Sequence, residues 1–234
     1  NIQGHQITHL QLGELKVKLR SLNIQCNLIS NIEALRGMDT LVNLIISSNP
    51  ITSIEPIETM TQLKYLVMHD LNKIENIDAL NACTSLESID ARSNIKLQSI
   101  VNKTHFSLRL NSLSTINVVG CELTNANFIR ECRSLEKVYL SHNRLTSLDF
   151  IRDLPMLKYI DISYNAIEDV GAVVNSSIEI LVAQNNKIVM IPSLRRNCRI
   201  RIIDLENNPI SNLDFIRGNA SLDEMILLEC PIRD

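Results

Sequence analysis

The chain has 234 residues, a formal net charge of −3, a pI near 6.0, 3% aromatic residues and no tryptophan. With no basic stripe it lacks the electrostatic footprint of direct nucleic-acid binding, and no stretch reaches the roughly 20 apolar residues of a membrane span. Its core must be aliphatic.

Residues 1–18 hold less than one copy of a motif that fills the rest of the chain. Ile7-x-x-Leu10-x-Leu12 reads as its strand half, expected to act as a capping segment, because an open sheet edge invites mispairing. From Leu19 onward the line Leu-x-x-Leu-x-Leu-x-x-Asn-x-Leu recurs. Copies start at Leu19, Leu41, Leu63, Leu86, Leu113, Leu135, Leu157, Ile178, Ile200 and Leu222, at intervals of 22, 22, 23, 27, 22, 22, 21, 22 and 22. Units this short cannot bury their own apolar face, so they must stack on one another.

Numbering each copy from its first Leu, the opening half alternates apolar and polar residues, as in Val138-Tyr139-Leu140, and reads as a half-buried strand. Position 9 ends the strand with a side chain that can both donate and accept to a sharp turn. That column runs Asn27, Asn49, Asn72, Asn94, Cys121, Asn143, Asn165, Asn186, Asn208 and Cys230. Apolar residues at positions 11, 14 and 17 leave room for single helical turns, many of them 3-10.

In chain order, the third copy takes an extra residue before Asn72 and the fourth takes one after Asn94. An insertion at 101–112 then follows, in which His105 to Leu110 alternates. It is read as a short strand or helical turn on the convex side, tolerated length variation ahead of a binding loop. Phe128-Ile129-Arg130, Phe150-Ile151-Arg152 and Phe215-Ile216-Arg217 fall at equivalent places, the Phe and Ile in the convex core and the Arg in water. The tenth copy stops at Asp234 without a polar terminal unit. The natural protein is expected to continue, and otherwise to be a monomer unless that edge pairs with another chain.

The repeated line is the leucine-rich-repeat signature, and it covers the chain from Leu19 to the last residue. The resemblance implies an α/β fold: a right-handed leucine-rich-repeat solenoid, residues 19–234, of about ten repeats, with a parallel concave sheet and short 3-10 turns on the convex side. The regular 22-residue length resembles the short intracellular class, which includes the leucine-rich-repeat regulatory subunit of protein phosphatase 1. The spliceosomal A-prime protein and the axonemal dynein light chain are similar, and bacterial internalins share the repeat length. The resemblance implies a protein partner, for the regulatory class a phosphatase catalytic subunit. It leaves ribonucleoprotein, axonemal and adhesin readings open.

Positions 3, 5 and 7 are expected to point from the concave face into solvent. In the later copies Tyr139, Tyr159, Ile180, Val182, Ile202, Ile226 and Leu228 form an apolar and aromatic patch, bordered by Asp161, Asp204, Glu206 and Glu224. Strand preference explains any one of these residues. The cluster as a whole reads as a partner-binding site. A second patch, Tyr65, His69, Asp90 and Arg92, reads as a cross-strand structural contact or a polar rim.

No catalytic motif is present: no G-x-S-x-G, Gly-rich phosphate loop or H-E-x-x-H. The concave acids Asp90, Asp161 and Asp204 lie too many strands apart for a glycosidase pair. The six Cys are too dispersed for a zinc signature, so neither metal nor cofactor is expected. Cys83 and Cys132 share a column with Met38, Met60 and Leu154. Dispersed core thiols fit a reducing compartment, cytoplasmic and also nuclear. The sequons at Asn102, Asn175 and Asn219 are read as chance.

Overall fold

The computed structural model describes residues 1–104, 106–194 and 198–233. His105 and Asp234 lie outside the described residues. Ten three-residue strands form one parallel sheet in chain order: β1 Ser21–Asn23, β2 Asn43–Ile45, β3 Tyr65–Val67, β4 Ser88–Asp90, β5 Thr115–Asn117, β6 Lys137–Tyr139, β7 Tyr159–Asp161, β8 Ile180–Val182, β9 Ile202–Asp204 and β10 Glu224–Ile226. The chain is a right-handed leucine-rich-repeat solenoid. Every register pairs the same repeat position in neighbouring copies, as in Tyr139 with Asp161 and Tyr159 with Ile180.

The core is one continuous aliphatic column. Positions 1, 4, 6 and 11 are buried from copy to copy, as in Leu135, Val138, Leu140 and Leu145. Each such side chain contributes about 1.5–3 kcal/mol of apolar burial, but only against the next copy. Cys83 and Cys132 are buried in the same column as Met38, Met60 and Leu154, and Cys198 is buried too. Phe128, Phe150 and Phe215 fill the convex side.

The convex turns are 3-10 at Glu33–Leu35, Glu55–Thr59, Asp78–Ala82, Asn127–Ile129, Asp149–Asp153, Gly171–Val173 and Asp214–Ile216. Each is entered through a side-chain oxygen at position 13 that accepts the N–H two residues on. Asn31, Ser53, Asn76, Asn125, Ser147, Asp169 and Asn212 fill that role. The insertion is absorbed differently: α1, Leu97–Thr104, is a full helix that buries Leu97 and Val101, followed by buried Phe106, Leu108 and Leu110.

At the start of the chain, Ile7 and Leu10 are not a strand. The N–H groups of Ile2 and Gly4 donate to the carbonyls of Asn23 and Gln25, so Ile2–Gly4 is the backbone that lies along β1. Gly4 takes a φ of +72° and Ile7 donates to Asn27. Ile7 and Leu10 therefore stand at positions 11 and 14, the convex half of the pattern rather than the strand half. Both halves carry apolar residues three apart, which is why they are easily exchanged on paper.

Candidate functional site

The turn that ends each strand sets the geometry of the concave face. Asn143 shows how it works. Its Nδ2 donates to the carbonyls of Leu140 and Ser141 in its own copy and of Val118 in the preceding one, at 2.9, 3.2 and 2.9 Å. Its Oδ1 accepts from the backbone N–H of Cys121 and Leu123. Asn27, Asn49, Asn94, Asn165, Asn186 and Asn208 repeat the pattern. The Cys thiols keep only part of it. Cys121 donates to Ala91 O at 3.3 Å and Cys230 to Leu205 O at 3.2 Å.

Asn72 is not in this ladder. The register of β3 with β2 places Leu71 opposite Asn49. Leu71 is fully buried while Asn72 is exposed. The third copy therefore has no extra residue before the slot; the extra residue lies between Leu71 and Ile74. A left-handed residue fixes the alignment. Position 8 has positive φ in every copy, at Cys26, Ser48, Asp70, Ser93, Gly120, His142, Tyr164, Asn185, Asn207 and Glu229. Asp70 at +57° puts the slot at Leu71.

Positions 3 and 5 face outward along the sheet, but position 7 does so only in part. Ser47, Ser141 and Ser163 are buried where the strand bends into its turn, and Ser47 Oγ accepts from His69 N. In the later copies the structure brings the apolar residues together. Tyr139 and Tyr159 lie with ring centroids 5.0 Å apart. Tyr159, Ile180 and Ile202 form one row across β7–β9, and Asp161, Val182, Asp204 and Ile226 form the next across β7–β10. All of these are partly exposed, and Leu228 is 64% exposed. Burial, then the charge of Asp161 and the neighbouring Tyr139, raises the Tyr159 phenol above its ordinary value.

The acids on this face have a structural use that the sequence did not disclose. Asp161 Oδ1 accepts from Ser163 N and Oγ, and Asp204 Oδ1 accepts from Glu206 N. At position 5 the side-chain oxygen is a cap for the turn.

The second patch does not assemble as its neighbours in sequence suggest. Asp90 pairs with Arg92 of its own copy at 3.2 Å rather than across strands. His69 Nδ1 lies 2.8 Å from Asp70, not against Asp90. Tyr65 O–H donates to Glu87 Oε2, while Lys64 Nζ donates to Glu87 Oε1 at 2.6 Å. Those bonds hold the Glu87 carboxyl below its usual range and raise Tyr65. Lys64–Glu87, Lys158–Glu136 and Arg201–Asp223 form a row of inter-copy ion pairs at position 2. In copies six to ten the sign of position 2 alternates through Glu136, Lys158, Glu179, Arg201 and Asp223, a signal available in the sequence.

Among the described residues no group of three His, Cys, Asp or Glu is placed to hold a metal ion, and no helix is long and apolar enough to cross a membrane. The six cysteines are free. Asn219 donates its amide to Leu194 O and accepts from Ser221 and Leu222, so its nitrogen is already engaged.

A curved parallel sheet, an Asn/Cys ladder and 3-10 convex turns define a leucine-rich-repeat protein. The sequence matches the family described as the Endo-beta-N-acetylglucosaminidase EndoS LRR domain over residues 39–165, more than half of the chain, and the chain belongs to that family. No curated protein sequence matches it. The solved structure of the internalin InlF from Listeria monocytogenes superposes with a TM-score of 0.73 at 20% identity, covering 96% of this chain and 72% of that one. The functional domain of InlJ from the same organism, which includes a cysteine ladder, gives 0.75 at 18%, covering 98% and 48%. TLR13 in complex with ssRNA13 gives 0.68 at 22%, covering 90% and 32%. At these identities the likeness is one of fold.

Proposed function

We propose that the chain is a non-catalytic scaffold that holds another protein against the concave face of repeats six to ten. The observation that carries this is the patch from Tyr139 to Leu228, a contiguous set of exposed and partly exposed aromatic and aliphatic side chains, with no element over it among the described residues. Patches of this kind mark interfaces, and tyrosines such as the Tyr139–Tyr159 pair supply much of the energy when covered. In the regulatory-subunit reading the occupant is a phosphatase catalytic subunit. Its support is the repeat length and the aromatic and acidic set Tyr139, Tyr159, Asp161, Asp204 and Glu206. Free, mostly buried thiols support a cytoplasmic site of action. Ribonucleoprotein and axonemal scaffolds would use the same face. The fold likeness to internalins supports a second reading, a surface adhesin.

The test is retention of partners from the native extract by the wild-type chain, by Tyr159→Ala/Ile202→Ala and by Tyr65→Ala/His69→Ala. One protein held by the wild type and the third chain but lost by the Tyr159/Ile202 variant supports the site. A phosphatase catalytic subunit in that band selects the regulatory reading, and a cell-surface receptor selects the adhesin. Equal retention by all three would place binding elsewhere on the solenoid.

A further inference from the structure

We propose that the segment held on the concave side of repeats six to ten is cationic, with arginine side chains set between its carboxylates and its tyrosines; this rests on the binding role proposed above. At position 5 the fold requires an acceptor for the N–H two residues on, and a neutral amide suffices: Asn23 accepts from Gln25 at 3.0 Å and Asn117 from Val119 at 3.2 Å. Asp161 and Asp204 make the same bond at 3.0 and 3.1 Å. Their negative charge is therefore surplus to the fold.

Elsewhere the chain neutralises such a charge. Asp90, the remaining position-5 acid, has Arg92 at 3.2 Å. Asp161, Asp204, Glu206 and Glu224 have no ion-pair partner among the described residues. Lys137 is the only lysine or arginine at positions 3, 5 and 7 of repeats six to ten. Unbalanced negative potential over a partly apolar face repels anionic partners, steers cationic ones and leaves carboxylates to be matched on docking.

Arginine fits better than lysine because its planar guanidinium can lie on an aromatic ring while bonding a carboxylate through two N–H groups. The face offers both surfaces. Beside the Tyr139–Tyr159 pair, His142 and Tyr164 stack at the strand ends with centroids 4.2 Å apart and planes 10° from parallel. Tyr164 is 45% exposed.

The experiment selects a phage-displayed library of random twelve-residue peptides on the immobilised chain, then titrates the selected peptides by fluorescence anisotropy. The variants are Asp161→Asn/Asp204→Asn/Glu206→Gln, in which the amides at positions 161 and 204 retain the turn bonds, and Tyr159→Ala/Ile202→Ala. Thermal unfolding checks that each is folded. The expected result is peptides rich in arginine that bind the neutralised variant at least tenfold more weakly, with a shallower salt dependence, and that lose affinity on Arg→Lys replacement. Peptides without an arginine excess, bound equally by wild type and neutralised variant but lost with Tyr159→Ala/Ile202→Ala, overturn the cationic segment and leave the binding face standing. No selectable peptide, or peptides indifferent to the Tyr159/Ile202 change, overturns the inference and removes support from the face as well.

Discussion

At the residue scale the fold rests on two neighbouring positions with opposite demands. Position 9 needs a buried amide. Asn143→Ala would strand the backbone groups that its side chain satisfies, and a buried unsatisfied group costs about 1–3 kcal/mol. A loss of at least ~3 kcal/mol in urea unfolding is expected, well above that for Cys121→Ala, whose thiol donates to Ala91 and Val119 only. Position 8 needs the left-handed conformation. At Gly120 an added Cβ meets nothing within 4 Å, so the expense of Gly120→Ala is conformational, about 1 kcal/mol. Ser93→Gly at φ 57° is expected to stabilise. The thiols give a pH signature. Burial pushes Cys83 and Cys121 up to about 11 from an ordinary 9.0. Their unfolded forms ionise first, so stability is full below pH 9 and falls as pH rises towards 11, by up to about 3 kcal/mol for Cys83. Urea midpoints across that window should fall less steeply in Cys83→Ala, with the Cys121 contribution remaining. The Asn ladder was legible in the sequence because its period is fixed. Position 8 was not, since serine, aspartate, histidine and tyrosine there share a backbone angle and no chemistry. That hidden column is what placed the slot at Leu71 instead of Asn72.

At the scale of elements, strands and 3-10 turns follow from spacing, and the sequence disclosed them because 22 residues leave no room for anything longer. The insertion was harder to read. His105 to Leu110 alternates like a strand, yet the four-residue spacing of Leu97 and Val101 closes a helical turn that puts both in the core. If α1 is core and not a tolerated loop, Leu97→Ala should lower stability by about 2–5 kcal/mol. A change within 0.5 kcal/mol would show that the helix merely rests on the surface. Ile7 and Leu10 illustrate a limit of pattern alone, because a lone pair of apolar residues three apart fits either half of the repeat. The hydrogen-bond partners of Ile7, Asn27 and Leu28, distinguish the halves.

At the scale of the whole molecule, stacking turns a local motif into one surface. Tyr139, Val182, Asp204 and Leu228 are far apart in the chain and share a face only because every copy keeps the same register. Membership of that face was legible from position number. The double use of its acids was not, because a turn cap and a free charge are written with the same aspartate. The central claim is that this face, in repeats six to ten, is where a partner sits. A photo-crosslinking amino acid placed at Val182, in the middle of the patch, and another at the exposed convex residue Arg152 test it most directly. The partner is expected to be captured from position 182 and not from position 152. Capture from 152 alone, with 182 silent in a folded chain, would contradict it.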